Sequence, residues 1–158
     1  LSKGGGQMKT LWAWLVFGAV AVHELSHALA GWLCGAHLRS LAIGTDVLYP
    51  ENISIVWPWE EGHVVGSGFT DVDGLARQPI TRAVFRSGGF FGEFLYWSVL
   101  FFFVLLGIAR LAIGLGTEAG DTIGPLRLVG VASSLVAVAI AMRHSYRDVI
   151  QLAADLGK

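Results

Sequence analysis

Apolar residues in this chain fall into long blocks, with one polar, turn-rich stretch set between the first two of them. From Leu11 to Leu33 the run LWAWLVFGAVAVHELSHALAGWL is long enough, at about 1.5 Å per helical residue, to cross a hydrocarbon core roughly 30 Å thick. A second block, Gly88 to Leu115, contains FLYWSVLFFFVLLGIA, an uncharged stretch that a protein of this size could not cover in water. The third, Leu126 to Met142, reads LRLVGVASSLVAVAIAM and is rich in small residues that let a neighbouring helix come close. Three transmembrane helices are therefore predicted, at about 11–33, 88–115 and 126–142.

The polar stretch, about 37–86, is punctuated by Gly44, Tyr49-Pro50, Gly62, Gly66, Gly68 and Gly74. Short β-rich runs, Asn52 to Trp57 and His63 to Val65, lie between these breaks and predict small hairpins at the membrane surface. Trp57 and Trp59 suit the headgroup level there. A strand edge in this insert either receives an extended substrate as an added strand or shields the site. The expected fold is an all-α integral membrane protein with about three transmembrane helices and a small β-containing membrane-surface insert. It forms a single domain over 10–158, behind a flexible lead-in at 1–9.

Composition agrees with a lipid environment, since 15% of the residues are charged and 54% are hydrophobic, whereas soluble domains carry about a quarter charged. With 11 Lys+Arg against 12 Asp+Glu, the chain lacks the positive surplus of a nucleic-acid binder. Cys34 stands alone, which excludes an internal disulfide and a four-thiolate zinc site. Across three spans, Lys3, Lys9, Arg110 and Arg127 fall on one side and Arg39, Arg77, Arg82, Arg86, Arg143, Arg147 and Lys158 on the other. The positive-inside rule then puts the N-terminus outside and the insert and C-terminus in the cytoplasm.

Inside the first span lies His23-Glu24-Leu25-Ser26-His27, whose spacing sets two imidazoles one helical turn apart on one face. Two such imidazoles can coordinate one ion, and a catalytic zinc takes three protein ligands and a water. Glu24, beside the first histidine, can accept that water's proton and pass it to a leaving amine. Ionisable groups at a helix centre cost on the order of 2–3 kcal/mol each on insertion scales, so three on one span call for a reason. A hydrogen-bonded His-Glu-His cluster or a metal that only staples helices is the plainer alternative. The third ligand is open on spacing alone. Asp148 lies just beyond the third span, Glu93 begins the second, and Asp46, Asp71 and Asp73 lie in the insert. Glu93 also reads as an acceptor behind a ligand or as the partner of an arginine. His144 reads as an interfacial residue or as a helix-face neighbour that orients Asp148.

Val22-His-Glu-Leu-Ser-His-Ala-Leu-Ala-Gly-Trp-Leu-Cys-Gly35 followed by Leu41-Ala-Ile-Gly44 resembles the active-site helix and next strand of the site-2 protease class of intramembrane zinc metallopeptidases. The likeness is closer to a compact bacterial branch, with Gly66-Ser-Gly-Phe-Thr70 and Ser87-Gly-Gly-Phe-Phe-Gly92 at the places of its Gly-Ser-Gly turn and its glycine-rich entry to the next span. Ser145-Tyr-Arg-Asp148-Val-Ile-Gln-Leu-Ala153 resembles that branch's late Ser-Asp segment with two residues inserted. The Asn-Pro and Leu-Asp-Gly segment of classical members has no counterpart, and Val72-Asp73-Gly74 shares only its Asp-Gly. The resemblance implies Zn2+ held by His23, His27 and Asp148, with Glu24 as general base. It implies a membrane protein or peptide as substrate and a bacterial cell membrane as the location. A catalytically silent metal-binding subunit of a larger membrane complex is the alternative, and a zinc carrier is the weakest reading.

Overall fold

The computed structural model describes residues 4–45, 52–75, 78–113 and 123–156. The expected turn at Tyr49-Pro50, the candidate acid Asp46 and the basic residues Lys3, Arg77 and Lys158 lie outside them. Among the described residues, four helices and three strands follow in the order α1 (Gly4–Leu33), β1 (His37–Ile43), β2 (Ile53–Ile55), β3 (Gly68–Asp73), α2 (Pro79–Ile113), α3 (Ile123–His144) and α4 (Tyr146–Leu156). The stretches Thr10–Leu33, Pro79–Ile108 and Arg127–His144 are each long and apolar enough to cross a membrane. Helix α2 begins well before the expected Gly88. Proline has no N–H to lose in a first turn, and no breaker follows Pro79 until the apolar block is reached.

Small residues bring the spanning helices together. Ala19 of α1, Trp97 of α2 and Ala137 of α3 form one buried cluster. Helix α3 turns Ser133, Ala137 and Ala141 inward, as its small-residue content suggested, and leaves Leu128 and Leu135 exposed to face lipid. Ala137 has no exposed surface, so Ala137→Leu forces extra methylenes into a filled space. The expected cost is about 1–3 kcal/mol, read as a shift in the midpoint of unfolding by a denaturing detergent.

The sheet has the order β2-β1-β3, with β1 parallel to β2 and antiparallel to β3. It differs from the expected hairpins. Ile53–Ile55 does form a strand, but it joins β1 in parallel through Leu41↔Ile53 and Ile43↔Ile55. His63–Val65 forms no strand. Gly44 at φ 72° turns the chain out of β1, and its carbonyl accepts from Val64 N at 2.8 Å, which removes that segment from any ladder. The third strand comes from the Gly66-Ser-Gly stretch, where Gly68 pairs with Ile43 and Asp73 with His37.

This sheet lies lengthwise against α1. Leu41 and Ile43 pack on Phe17. Strand β3 runs from Gly68, beside Val20 and Glu24, to Val72, beside Gly31. At the far end Trp59 stacks on Trp57 and meets Trp14, with ring centroids 5.4 and 4.8 Å apart. Beyond the break at Ser145, α4 folds back against α2, and Arg86 donates a hydrogen bond to Gln151. That return brings Asp148, in the first turn of α4, toward α1.

Candidate metal centre

The i, i+4 spacing of His23 and His27 sets both rings on the face of α1 turned to α2 and α4. Each ring is fixed through its Nδ1. His27 Nδ1 donates to the carbonyl of Phe85 at 2.7 Å, and His23 Nδ1 to Glu93 Oε2 at 3.3 Å. An Nδ1 facing an acceptor carries the proton, so in the neutral ring Nε2 is left as a bare lone pair. The two Nε2 atoms lie 3.2 Å apart, and Asp148 Oδ2 lies 3.3 Å from that of His23 and 3.6 Å from that of His27.

Three electron-rich atoms converging in this way repel one another unless a positive charge lies between them. Zinc bonds of about 2.0–2.2 Å at tetrahedral angles put ligand atoms about 3.3–3.6 Å apart. The donor set therefore fits a tetrahedral cation with one position left open, and His23, His27 and Asp148 are the residues that could hold it. Asp148 is only partly buried, and an aspartate carboxyl ordinarily ionises at about pH 4, so at neutral pH it is available as the carboxylate that binds a cation.

Helix α2 can approach this cluster because position 89 carries no side chain. A Cβ on Gly89 would strike His27 Nε2 and come within 2.6 Å of His23 Cε1 and Nε2. Gly88 and Gly92 meet the Ser26 turn of α1 on either side, where the absence of side chains lets α1 and α2 pack closely.

Glu24 is buried against the sheet rather than among the ligand atoms. Its Oε2 accepts from Thr70 Oγ1 at 2.6 Å, and a Cβ on Gly68 would come within 2.8 Å of its Oε1. Thr70 Oγ1 is also 3.0 Å from the Glu24 carbonyl, which ties β3 to α1 at the motif itself. A cavity of about 930 Å³ runs along this face and is lined by His23, Glu24, His27, Thr70 and Asp148. It has room for about 30 waters.

Of the rival acids, Glu93 lies behind His23, on the Nδ1 side of the ring, and also accepts from Trp97 Nε1 at 3.1 Å and His144 Nδ1 at 2.6 Å. His144 therefore turns to Glu93 and not to Asp148. Asp71 and Asp73 pair with Arg39 at 3.7 and 3.8 Å. Thr70, Trp97 and the Phe85 carbonyl were not singled out from the sequence. Thr70 and the Phe85 carbonyl act on residues far away along the chain, for which sequence spacing gives no signal, whereas Trp97 follows Glu93 by one helical turn, a spacing that pairs the two on one helix face. Arg82, Arg86 and Arg147 line the same cavity.

A family model described as Peptidase M50B-like matches residues 7–119, which takes in α1, the sheet and α2. Asp148 and α4 lie beyond the matched stretch. No curated protein and no solved structure gives a significant match.

Proposed function

Since the chain belongs to the Peptidase M50B-like family of metallopeptidases, we propose that it is an intramembrane zinc metallopeptidase, hydrolysing a peptide bond in or near a transmembrane segment of a protein substrate. The observation that carries this reading is the convergence of His23 Nε2, His27 Nε2 and Asp148 Oδ2 at tetrahedral spacing beside a cavity that also reaches Glu24. The apolar helices and the family together make the chain an integral membrane protein.

When bound, zinc lowers the pKa of a water molecule and polarises a peptide carbonyl. The remaining work falls to the chain. His23, His27 and Asp148 would hold the ion with their free donor atoms beside the cavity. Glu24 takes a proton from the attacking water onto a carboxylate oxygen and delivers it to the leaving amine. Thr70, donating to Oε2, fixes the carboxylate's rotamer. The cavity supplies water to a reaction set against a spanning helix, and Glu24 stays shielded by β3 from lipid.

The test joins metal content to cleavage. Wild-type protein in detergent is expected to hold one equivalent of zinc and to cut members of a panel of single-span peptides, with a chelator stopping cleavage and zinc restoring it. Asp148→Ala removes one of three ligands and is expected to lose both zinc and activity. Zinc in the wild type with no cleavage of any peptide would favour a metal-binding subunit of a larger membrane complex, and absence of zinc would sink the mechanism.

A further inference from the structure

Glu93 is 2% exposed and sits on a spanning helix, where a carboxylate without partners is costly. Its two oxygens meet three N–H groups. His23 Nδ1 lies 3.3 Å from Oε2, while Trp97 Nε1 and His144 Nδ1 lie 3.1 and 2.6 Å from Oε1. His144 is the last residue of α3; Ser145 forms the turn, and Asp148 follows in the first turn of α4. One buried carboxylate thus touches both the ring that presents the first donor atom and the joint that aims the third.

We propose that Glu93 is the positioning residue of the metal centre. It holds His23 in the Nδ1–H tautomer, with Nε2 bare toward the ion, and it anchors the α3–α4 joint through His144 so that Asp148 reaches the two imidazoles. This rests on the metal-binding reading above and extends it to how the centre is assembled.

The chemistry of a single atom separates this role from plain support. A carboxylate only accepts, whereas an amide of the same shape both accepts and donates. In Glu93→Gln, an amide oxygen kept toward Trp97 and His144 leaves the NH2 facing His23 Nδ1. That ring must then offer a lone pair at Nδ1 and carry its proton on Nε2, the atom needed for the ion. If the amide turns over, its NH2 confronts two N–H donors and the α3–α4 joint loses its anchor. Either arrangement weakens the centre without removing a ligand or changing side-chain volume. A carboxylate that only supported the fold would change stability and leave the His23 tautomer as it was.

Two measurements test this. Long-range ¹H–¹⁵N correlation on metal-free wild type labelled at histidine is expected to show His23 protonated at Nδ1 and bare at Nε2. The opposite tautomer overturns the proposal without any variant having to fold. Competition of folded Glu93→Gln with a chromophoric chelator is expected to show zinc binding about 10–100-fold weaker than wild type. The His23 proton is expected at Nε2 in that variant when the amide oxygen stays toward Trp97 and His144, and Glu93→Asp, which keeps an acceptor, is expected to recover part of the affinity. Equal zinc affinity in wild type and Glu93→Gln overturns the proposal alone. A wild type that takes up no zinc overturns the metal-centre reading and this proposal with it.

Discussion

Glu24→Gln is expected to lower peptide hydrolysis by about 10²–10⁴-fold while leaving zinc content at the wild-type level. Glutamine keeps the length and shape of the side chain, and its amide oxygen can still accept from Thr70 Oγ1, which sits 2.6 Å from Glu24 Oε2. Metal retention follows because the donor atoms come from His23, His27 and Asp148 and none from Glu24. What is lost is the one oxygen able to take a proton and return it. Initial cleavage rates and metal analysis on the same preparation check this. A variant that cleaves within about threefold of wild type would remove Glu24 from the reaction, and one that loses its zinc would make it part of the metal site.

The second large effect comes from a residue with no side chain. Gly89→Ala places a Cβ against His27 Nε2 and within 2.6 Å of His23 Cε1 and Nε2, in the space where the donor atoms meet. Neither ring can yield, since the Nδ1 of each is held from behind by Phe85 or Glu93. Zinc affinity is expected to fall by at least about 100-fold, at or beyond the upper end of what the loss of a ligand's outer hydrogen-bond partner costs. The readout is zinc titration of the folded fraction, isolated by gel filtration. Wild-type affinity in that fraction would show that the α1–α2 distance can relax, and that the glycine serves helix packing only.

The parts of this protein that could be read from the sequence are those written in neighbouring residues. The apolar blocks mark the spans because crossing a membrane is a property of a contiguous stretch, and His23-Glu24-xx-His27 declares itself because a helix sets i and i+4 on one face. Asp148 came from the resemblance of the segment around it, and the fold brings that carboxylate to the two imidazoles. Glu93 was open between three roles. What settles its surroundings is the pairing with His23 and His144, which come from different helices and which no local spacing encodes. The sheet was only half legible. Ile53–Ile55 has strand composition, but its parallel pairing with β1 depends on how the chain returns after Gly44. Gly66-Ser-Gly signals a turn by composition, yet Gly68 opens a strand, because a residue with no side chain there lets β3 lie directly on Glu24.

The break at Ser145 also sets a time order. Asp148 follows the three described spanning helices, α1, α2 and α3, so a ribosome that has already delivered His23, Glu24 and His27 to the membrane has not yet made the third donor. At about 5–20 residues per second the interval is on the order of 10 s. During it α1 can insert and the sheet can settle on it, but the three donor atoms cannot meet. The centre is therefore silent while the nascent chain is threading beside other unfolded membrane segments, and it is completed only when α4 folds back across the finished bundle.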